Sequence, residues 1–357
     1  MPEDQVITAT TTAATTETAH LPLAVGVDLG GTQLRVAVLR GATLLSRVGL
    51  LTGEDATPER LIPRICDAIR QALAEARVEL EQVAGIGLGA PGPLNSKTGV
   101  IYSPPNLPGW ENVPIRDILQ KEFPVPVLIE NDAHCAALGE YMFGAGRGSE
   151  DMVYMTVSTG IGGGIICKGR LLEGAGGTAG ELGHMTIDLH GPRCNCGNIG
   201  CLEAIASGTA IARRANEAIA AGQGADLLAF ARSLDEQTAR HLHLPAGEEK
   251  EAIERVNART VGEAARAGIA LARQIISEAA RGLGVGLVNV IHVFNPRKII
   301  LGGGVMQLGD LILGPALEVV EQRAMKAPRS IVSIELAQLG PNVGLVGAGT
   351  LIYYHHR

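Results

Sequence analysis

The segment GHMTIDLHGPRCNCGNIGCLE brings one imidazole and three thiols, His184, Cys194, Cys196 and Cys201, close together in sequence. Three thiolates and one imidazole satisfy a closed tetrahedral zinc site of the structural kind, with no position left over for a catalytic water. His190 is an alternative imidazole ligand, and free buried thiols are the alternative without metal. The other cysteines, Cys66, Cys135 and Cys167, stand singly in apolar surroundings. Clustering of this kind argues for a metal rather than for a disulfide framework.

A second kind of chemistry is suggested by glycine turns that follow apolar strands. Such turns expose successive backbone N–H groups with no Cβ in the way, and these can close around phosphate oxygens. Three occur: Gly30-Gly31-Thr32, Thr159 through Gly164 (including Gly160 and Gly162), and Gly302-Gly303-Gly304. One alone would be only a turn; three in one chain point to a nucleotide. Asp28 directly precedes the first turn and is either a turn-forming residue or a carboxylate that holds magnesium against phosphates, through water. No GxxxxGK[ST] sequence occurs, which excludes a P-loop.

Asp132 lies where the apolar strand VLIEN gives way to a helix beginning at Ala133. It is either the N-cap of that helix or a positioned carboxylate that takes a proton from an attacking hydroxyl. Asn131, Glu181, His184 and Glu203 are the polar groups suited to a sugar, whose hydroxyls both donate and accept. Glu181 and His184, three apart, share a face on a helical turn.

These residues need elements to hold them. LAVGVDLGGTQLRVAVLR from Leu23 reads as strand, tight turn, strand, and VYMTVSTGIGGGIICKGRLL from Val153 repeats that grammar. Between them come a helix over about 58 to 77, a strand over 83 to 93, and a Pro/Asn-rich loop over 103 to 114. Later come alanine-rich helices from about 205, a polar stretch from 233 to 257, a long helix from about 260 to 294 and the buried strand KIILGGGV. Strands alternating with helices give an α/β architecture.

At 357 residues the chain suits two lobes with a cleft between them. We expect a disordered Thr/Ala-rich tail at 1 to 20, a small lobe at 21 to 131 completed by a C-terminal helix at 341 to 357, and a large lobe at 132 to 340 containing the metal segment 184 to 201. A net charge of −7, from 30 basic and 37 acidic residues, gives no drive toward nucleic acid or membrane. With no long apolar run and no signal-like N-terminus, a cytoplasmic protein acting on small molecules is expected.

Together these motifs resemble the ROK family (repressors, open reading frames and kinases), and within it the bacterial glucokinases, from about Ala24 onward. VGVDLGGTQLRVAVL, GAPGPLN, NLPGW, ENDA, STGIGGG, EGAGGTAGELGH, CNCGNIGCLE and NPRKIILGGGV carry the resemblance. It implies the actin-like (ribonuclease H-like) ATPase fold, with two duplicated lobes around a nucleotide and sugar cleft. It implies Asp132 as general base toward a hexose 6-hydroxyl, with Asn131, Glu181, His184 and Glu203 on the sugar, Gly92 and Asn106 close to it, and His184, Cys194, Cys196 and Cys201 on zinc. ATP with magnesium as donor and a homodimer or homotetramer follow from the same resemblance. Two departures stand out: His134 where the family usually has asparagine, and Ser158 where glycine is commoner. Other readings are a fructokinase, mannose kinase or N-acetylhexosamine kinase, an actin-like ATPase without a sugar, and a sugar-responsive repressor, for whose helix-turn-helix the tail is too short.

Overall fold

The computed structural model describes residues 20–53, 56–242 and 256–355. The tail at 1–19 and residues 243–255 of the polar stretch lie outside the described residues. The chain divides into two compact units. One comprises the chain up to Gly144, Gly174–Thr178 and the chain from Leu339 on; the other comprises Ala145–Glu173 and Ala179–Gln338.

In the first unit, β1 (Leu23–Leu29) and β2 (Gln33–Arg40) form an antiparallel hairpin. β3 (Thr43–Leu44) and β4 (Val48–Leu51) both pair with β2. On the other side β5 (Val83–Ala90) runs parallel to β1, and β8 (Val127–Asn131) parallel to β5. β6 (Leu94–Asn95) and β7 (Val100–Ile101) make a small separate ribbon. The side chains of β1 alternate between two covered faces, which is why the strand reads as a continuous apolar run. Val25, Val27 and Leu29 enter one core with Leu61, Ile65 and Ile69 of α1 (Pro58–Ala76), where α2 (Ile115–Glu122) contributes Ile115 and Leu119. Ala24 turns to the opposite face, packing with Leu345, Ile352 and Tyr353 of α11 (Val343–His355). Asp28 has the same parity as Ala24 and therefore points to the α11 side.

The second unit repeats this plan. β9 (Met152–Val157) and β10 (Ile161–Cys167) form an antiparallel hairpin, extended by β11 (Arg170–Leu171). β12 (Lys298–Gly302) lies parallel to β9, and β13 (Ser333–Leu336) parallel to β12. The order β2-β1-β5 of the first sheet thus recurs as β10-β9-β12. Around it are α4 (Leu202–Ala206), α5 (Gly208–Ala220), α6 (Ala225–Leu242), α7 (Ala258–Arg266), α8 (Ala270–Phe294), α9 (Asp310–Arg323) and α10 (Lys326–Arg329). α8 carries Arg273, Gln274, Glu278 and Arg281 on its exposed side and enters the core through Ile275, Ile276, Leu283, Leu287 and Ile291.

Several expectations need correction. The single helix over 260 to 294 is two helices, because Gly268 adopts φ 98° between them, a left-handed region that side chains disfavour. The strand expected over 83 to 93 ends at Ala90. The unit boundary falls after Gly144 rather than at Asp132, since the helix α3 (Asp132–Phe143) packs with α11 in the first unit. Cys167, expected among apolar neighbours, is exposed, whereas Cys66 and Cys135 are buried. Among the described residues, no helix is long and apolar enough to cross a membrane.

Candidate active site

The first unit carries Asp132, Asn131, Asp28 and the first glycine turn. Asn131 closes β8 and is the N-cap of α3: its Oδ1 accepts from the Ala133 N–H at 2.9 Å and the His134 N–H at 3.3 Å. Capping therefore belongs to Asn131, and the helix begins at Asp132, one residue earlier than expected. Asp132 Oδ1 accepts from the Ala133 N–H at 2.7 Å. Because Asn131 caps through its oxygen, its Nδ2 remains available to donate; it lies beside Gly92, 3.4 Å from where a Cβ there would sit.

The turn Gly30-Gly31-Thr32 is closed by Gly30 N–H donating to Gln33 O at 2.9 Å. Thr52 ties it down from β4's far end, its Oγ1 donating to Gly30 O at 2.7 Å and its N–H to Thr32 O at 2.8 Å. Asn106 packs over Gly31, where an added Cβ would lie 2.7 Å from the Asn106 Cβ. Asp28 sits opposite Arg35 in the hairpin register and is ion-paired with it. Arg35 Nη1 also donates to Pro341 O at 2.7 Å. Burial pushes the Asp28 carboxyl above its ordinary value, and the Arg35 guanidinium pulls partly against that.

The second unit carries the metal candidates, Glu181, Glu203 and the other two turns. The ligand atoms of His184, Cys194, Cys196 and Cys201 all lie within 4.8 Å of one another. Cys196 and Cys201 Sγ are 3.7 Å apart, and Cys194 Sγ is 3.8 Å from His184 Nδ1. Around a tetrahedral zinc with Zn–S of about 2.3 Å the sulfur–sulfur edge is about 3.8 Å, so the cluster has the dimensions of such a site. Burial pushes the Cys194 thiol up to about 12 and raises Cys201, while the Asn198 N–H lowers Cys196. A cation at the centre favours the thiolates that burial disfavours. His190 is not part of the cluster. The opposite edge of the His184 ring, Nε2, faces Glu181 Oε2 at 3.8 Å.

Glu203 stands on the first turn of α4, two residues after Cys201. Its Oε2 accepts from the Ile161 N–H at 2.9 Å, and its Oε1 is 3.8 Å from Cys194 Sγ. The second turn is Ser158-Thr159-Gly160, closed by Ser158 N–H donating to Gly160 O at 2.8 Å. Gly162 through Gly164, expected in this turn, lie instead on β10. For Gly163 the reason is close packing: a Cβ there would meet Leu182 at 2.5 Å, just before His184. α5 starts beside the turn, with Gly208 N–H donating to Ser158 O at 2.7 Å and Thr209 Oγ1 to Thr159 O at 2.8 Å. The third turn follows β12: Gly302 ends the strand, Gly303 has φ 93°, and Gly304 opens a short 3-10 helix.

Sequence reasoning missed the supports: Arg35 on Asp28, Thr52 on the first turn, Ile161 on Glu203, and Glu130, whose Oε1 lies 3.1 Å from His134 Nδ1. Only the last had a local signal, an acid and a histidine four residues apart.

A hairpin with a glycine turn, followed in the sheet by a parallel strand and built twice in one chain, is the actin-like ATPase fold. Within that class the chain belongs to the ROK family, matching it over residues 24–354. It is 36% identical over 330 residues to a glucokinase of Halalkalibacterium halodurans, covering 92% of this chain and 94% of that one. A ROK family glucokinase from Streptomyces griseus, solved in complex with glucose and AMPPNP, superposes with a TM-score of 0.71 at 35% identity, over 92% of this chain and 98% of that one. A xylose repressor of Caldicellulosiruptor bescii is 32% identical over 92% of this chain but 77% of its own length.

Proposed function

We propose that this chain transfers the γ-phosphoryl group of ATP to the 6-hydroxyl of glucose. The observation that carries the reading is the full-length similarity to glucokinases, one of them solved with glucose and an ATP analogue. Asp132, at the carboxyl end of β8, is the base that takes the proton from the attacking hydroxyl. Asn131 Nδ2, Glu181, His184 Nε2 and Glu203 Oε1 bind the sugar hydroxyls, with Gly92 and Asn106 lining the approach. The N–H groups of Gly31, Thr32, Thr159 and Gly160 receive phosphate oxygens, Gly30 closing the first turn through its own N–H, and Gly302 to Gly304 the nucleoside side.

Asp28 is the carboxylate that would hold magnesium beside the ATP phosphates, where the ion would supply neutralisation of the charge on the transferred group. Zinc is the metal that the three thiols and Nδ1 of His184 would hold, and bound there it would orient the imidazole, leaving Nε2–H to donate toward the sugar. The chain works as a homodimer or homotetramer in the cytoplasm. Asp132→Asn keeps sugar binding and lowers kcat by about two or more orders of magnitude, the usual worth of a general base. A coupled ADP-release assay over glucose, mannose, fructose and N-acetylhexosamines tests both points: no sugar-stimulated release overturns the kinase, and an unchanged kcat in the variant overturns the base.

The xylose repressor relative favours a second reading, a sugar-responsive regulator. Sugar-sensitive DNA retardation at moderate salt, without sugar-stimulated ATP turnover, would support it over the kinase.

A further inference from the structure

Directly beneath Asp132 are two buried titratable side chains that the mechanism above leaves unused. Glu130 is 5% exposed and His134 2%. They stand four residues apart, one near the end of β8 and the other in the first turn of α3, with Asp132 midway between them in sequence. One oxygen, Glu130 Oε1, makes both contacts: it accepts from the Asn131 N–H at 2.8 Å and faces His134 Nδ1 at 3.1 Å. Asn131 in turn holds the His134 N–H through its Oδ1 at 3.3 Å. The result is a closed ring of hydrogen bonds that enters the strand–helix junction before Asp132 and leaves it afterwards.

The junction has little room to move in other directions. A Cβ on Gly89 of β5 would lie 3.8 Å from the Asp132 Cα and 3.2 Å from the Cys135 Sγ, so the backbone of the turn rests directly on the neighbouring strand. β8 is paired with β5 up to Gly89–Glu130 and Ala90–Asn131, and the Glu130 carboxylate adds a side-chain bond to the Asn131 N–H at the point where the strand gives way to the helix. A buried carboxylate keeps such a position only if its second bond is also satisfied, and His134 supplies that bond.

Resting on the reading of Asp132 as the base, we propose that His134, acting through Glu130, is a positioning residue that sets the direction in which the Asp132 carboxylate points. Its loss acts on the proton-transfer step and leaves nucleotide binding alone. A base displaced by a fraction of an ångström to about 1 Å costs up to roughly 100-fold in rate.

The test compares His134→Leu, which removes the donor, with His134→Asn, whose Nδ2 hangs from Cγ as Nδ1 does and keeps a donor toward Glu130, in the full-length protein. The measurements are kcat, KM for ATP, KM for sugar, and melting temperature. The expected result is a kcat lowered by roughly 10- to 100-fold in the leucine variant, KM for ATP within about twofold, and recovery to within about threefold in the asparagine variant. An unchanged kcat in a folded leucine variant overturns the proposal, as does an equal loss in both variants that follows their melting temperatures. If leucine prevents folding, Glu130→Gln serves instead: it keeps shape and an acceptor oxygen but weakens the charge-assisted hold, and an unchanged kcat there overturns the proposal equally. Failure of the underlying reading looks different, since the unmodified protein would then release no ADP in response to sugar.

Discussion

The two hairpin turns, Gly30-Gly31-Thr32 and Ser158-Thr159-Gly160, share a strand-turn-strand plan but are braced from different sources. The first is held from within its own sheet: Thr52 bonds its carbonyls, and Asp28 and Arg35, partners across the hairpin, reach on to Pro341. The second is held by a side chain from elsewhere. Glu203 takes the Ile161 N–H, and a Cβ on Gly160 would sit 2.5 Å from its Oε2. Glu203 follows Cys201 closely in sequence, and its other oxygen faces Cys194. The lesson is that a duplicated fold can duplicate the loop without its support: one turn depends on a sheet, the other on a cysteine cluster.

The strongest way to break this contrast is Glu203→Ala. It removes the acceptor of the Ile161 N–H and a proposed sugar contact together, so kcat/KM should fall by about two orders of magnitude, from hydrogen-bond losses of about 1–3 kcal/mol each. KM for ATP should rise alongside KM for sugar; a change confined to sugar would mean that the carboxylate does not support the turn. A smaller effect is expected from removing metal by chelation or by Cys194→Ser. Metal content should drop, sugar affinity weaken, and the Ile161 amide exchange about tenfold faster, the worth of one hydrogen bond, while amides of the first hairpin keep their protection. Equal acceleration in both hairpins would erase the distinction.

The smallest effect concerns the first turn. The Asp28 carboxyl is raised above its ordinary value by burial, so the folded protein holds that proton more tightly than the unfolded chain does. Its favourable contribution is complete below the unfolded pKa and is lost as pH rises through the folded one. Compared with Asp28→Asn, the unmodified protein should therefore lose melting temperature as pH rises above the ordinary carboxylate range. A difference that does not change with pH would show that Arg35 cancels the cost of burial.

The parts of this site legible in sequence were those in which residue type alone encodes the chemistry. A histidine and three cysteines at short spacing specify a ligand set, and an apolar run ending in Asp-Leu-Gly-Gly-Thr specifies a hairpin. Asn131 and Asp132 were ambiguous because both residue types cap helices, and only the length of β8 decides which one does. Gly162 to Gly164 look like turn residues, yet they lie on β10, where Gly163 meets Leu182 of a distant segment. The bond between Glu203 and Ile161 spans 42 residues and leaves no local trace.

α11 has a consequence for how the molecule is made. Its backbone lies directly on Gly26 of β1 and Gly87 of β5, through Leu345 O and Ala348 O, and Tyr353 Oη donates to Leu39 O at 3.1 Å. The first sheet is synthesised early, yet the helix that covers one of its faces emerges only after the whole second unit. During translation that face, with Ala24, Ala37 and Leu39, must wait uncovered while the inserted unit folds. The nascent first unit is thus the stage at which a chaperone, or a neighbouring ribosome's product, would meet the chain.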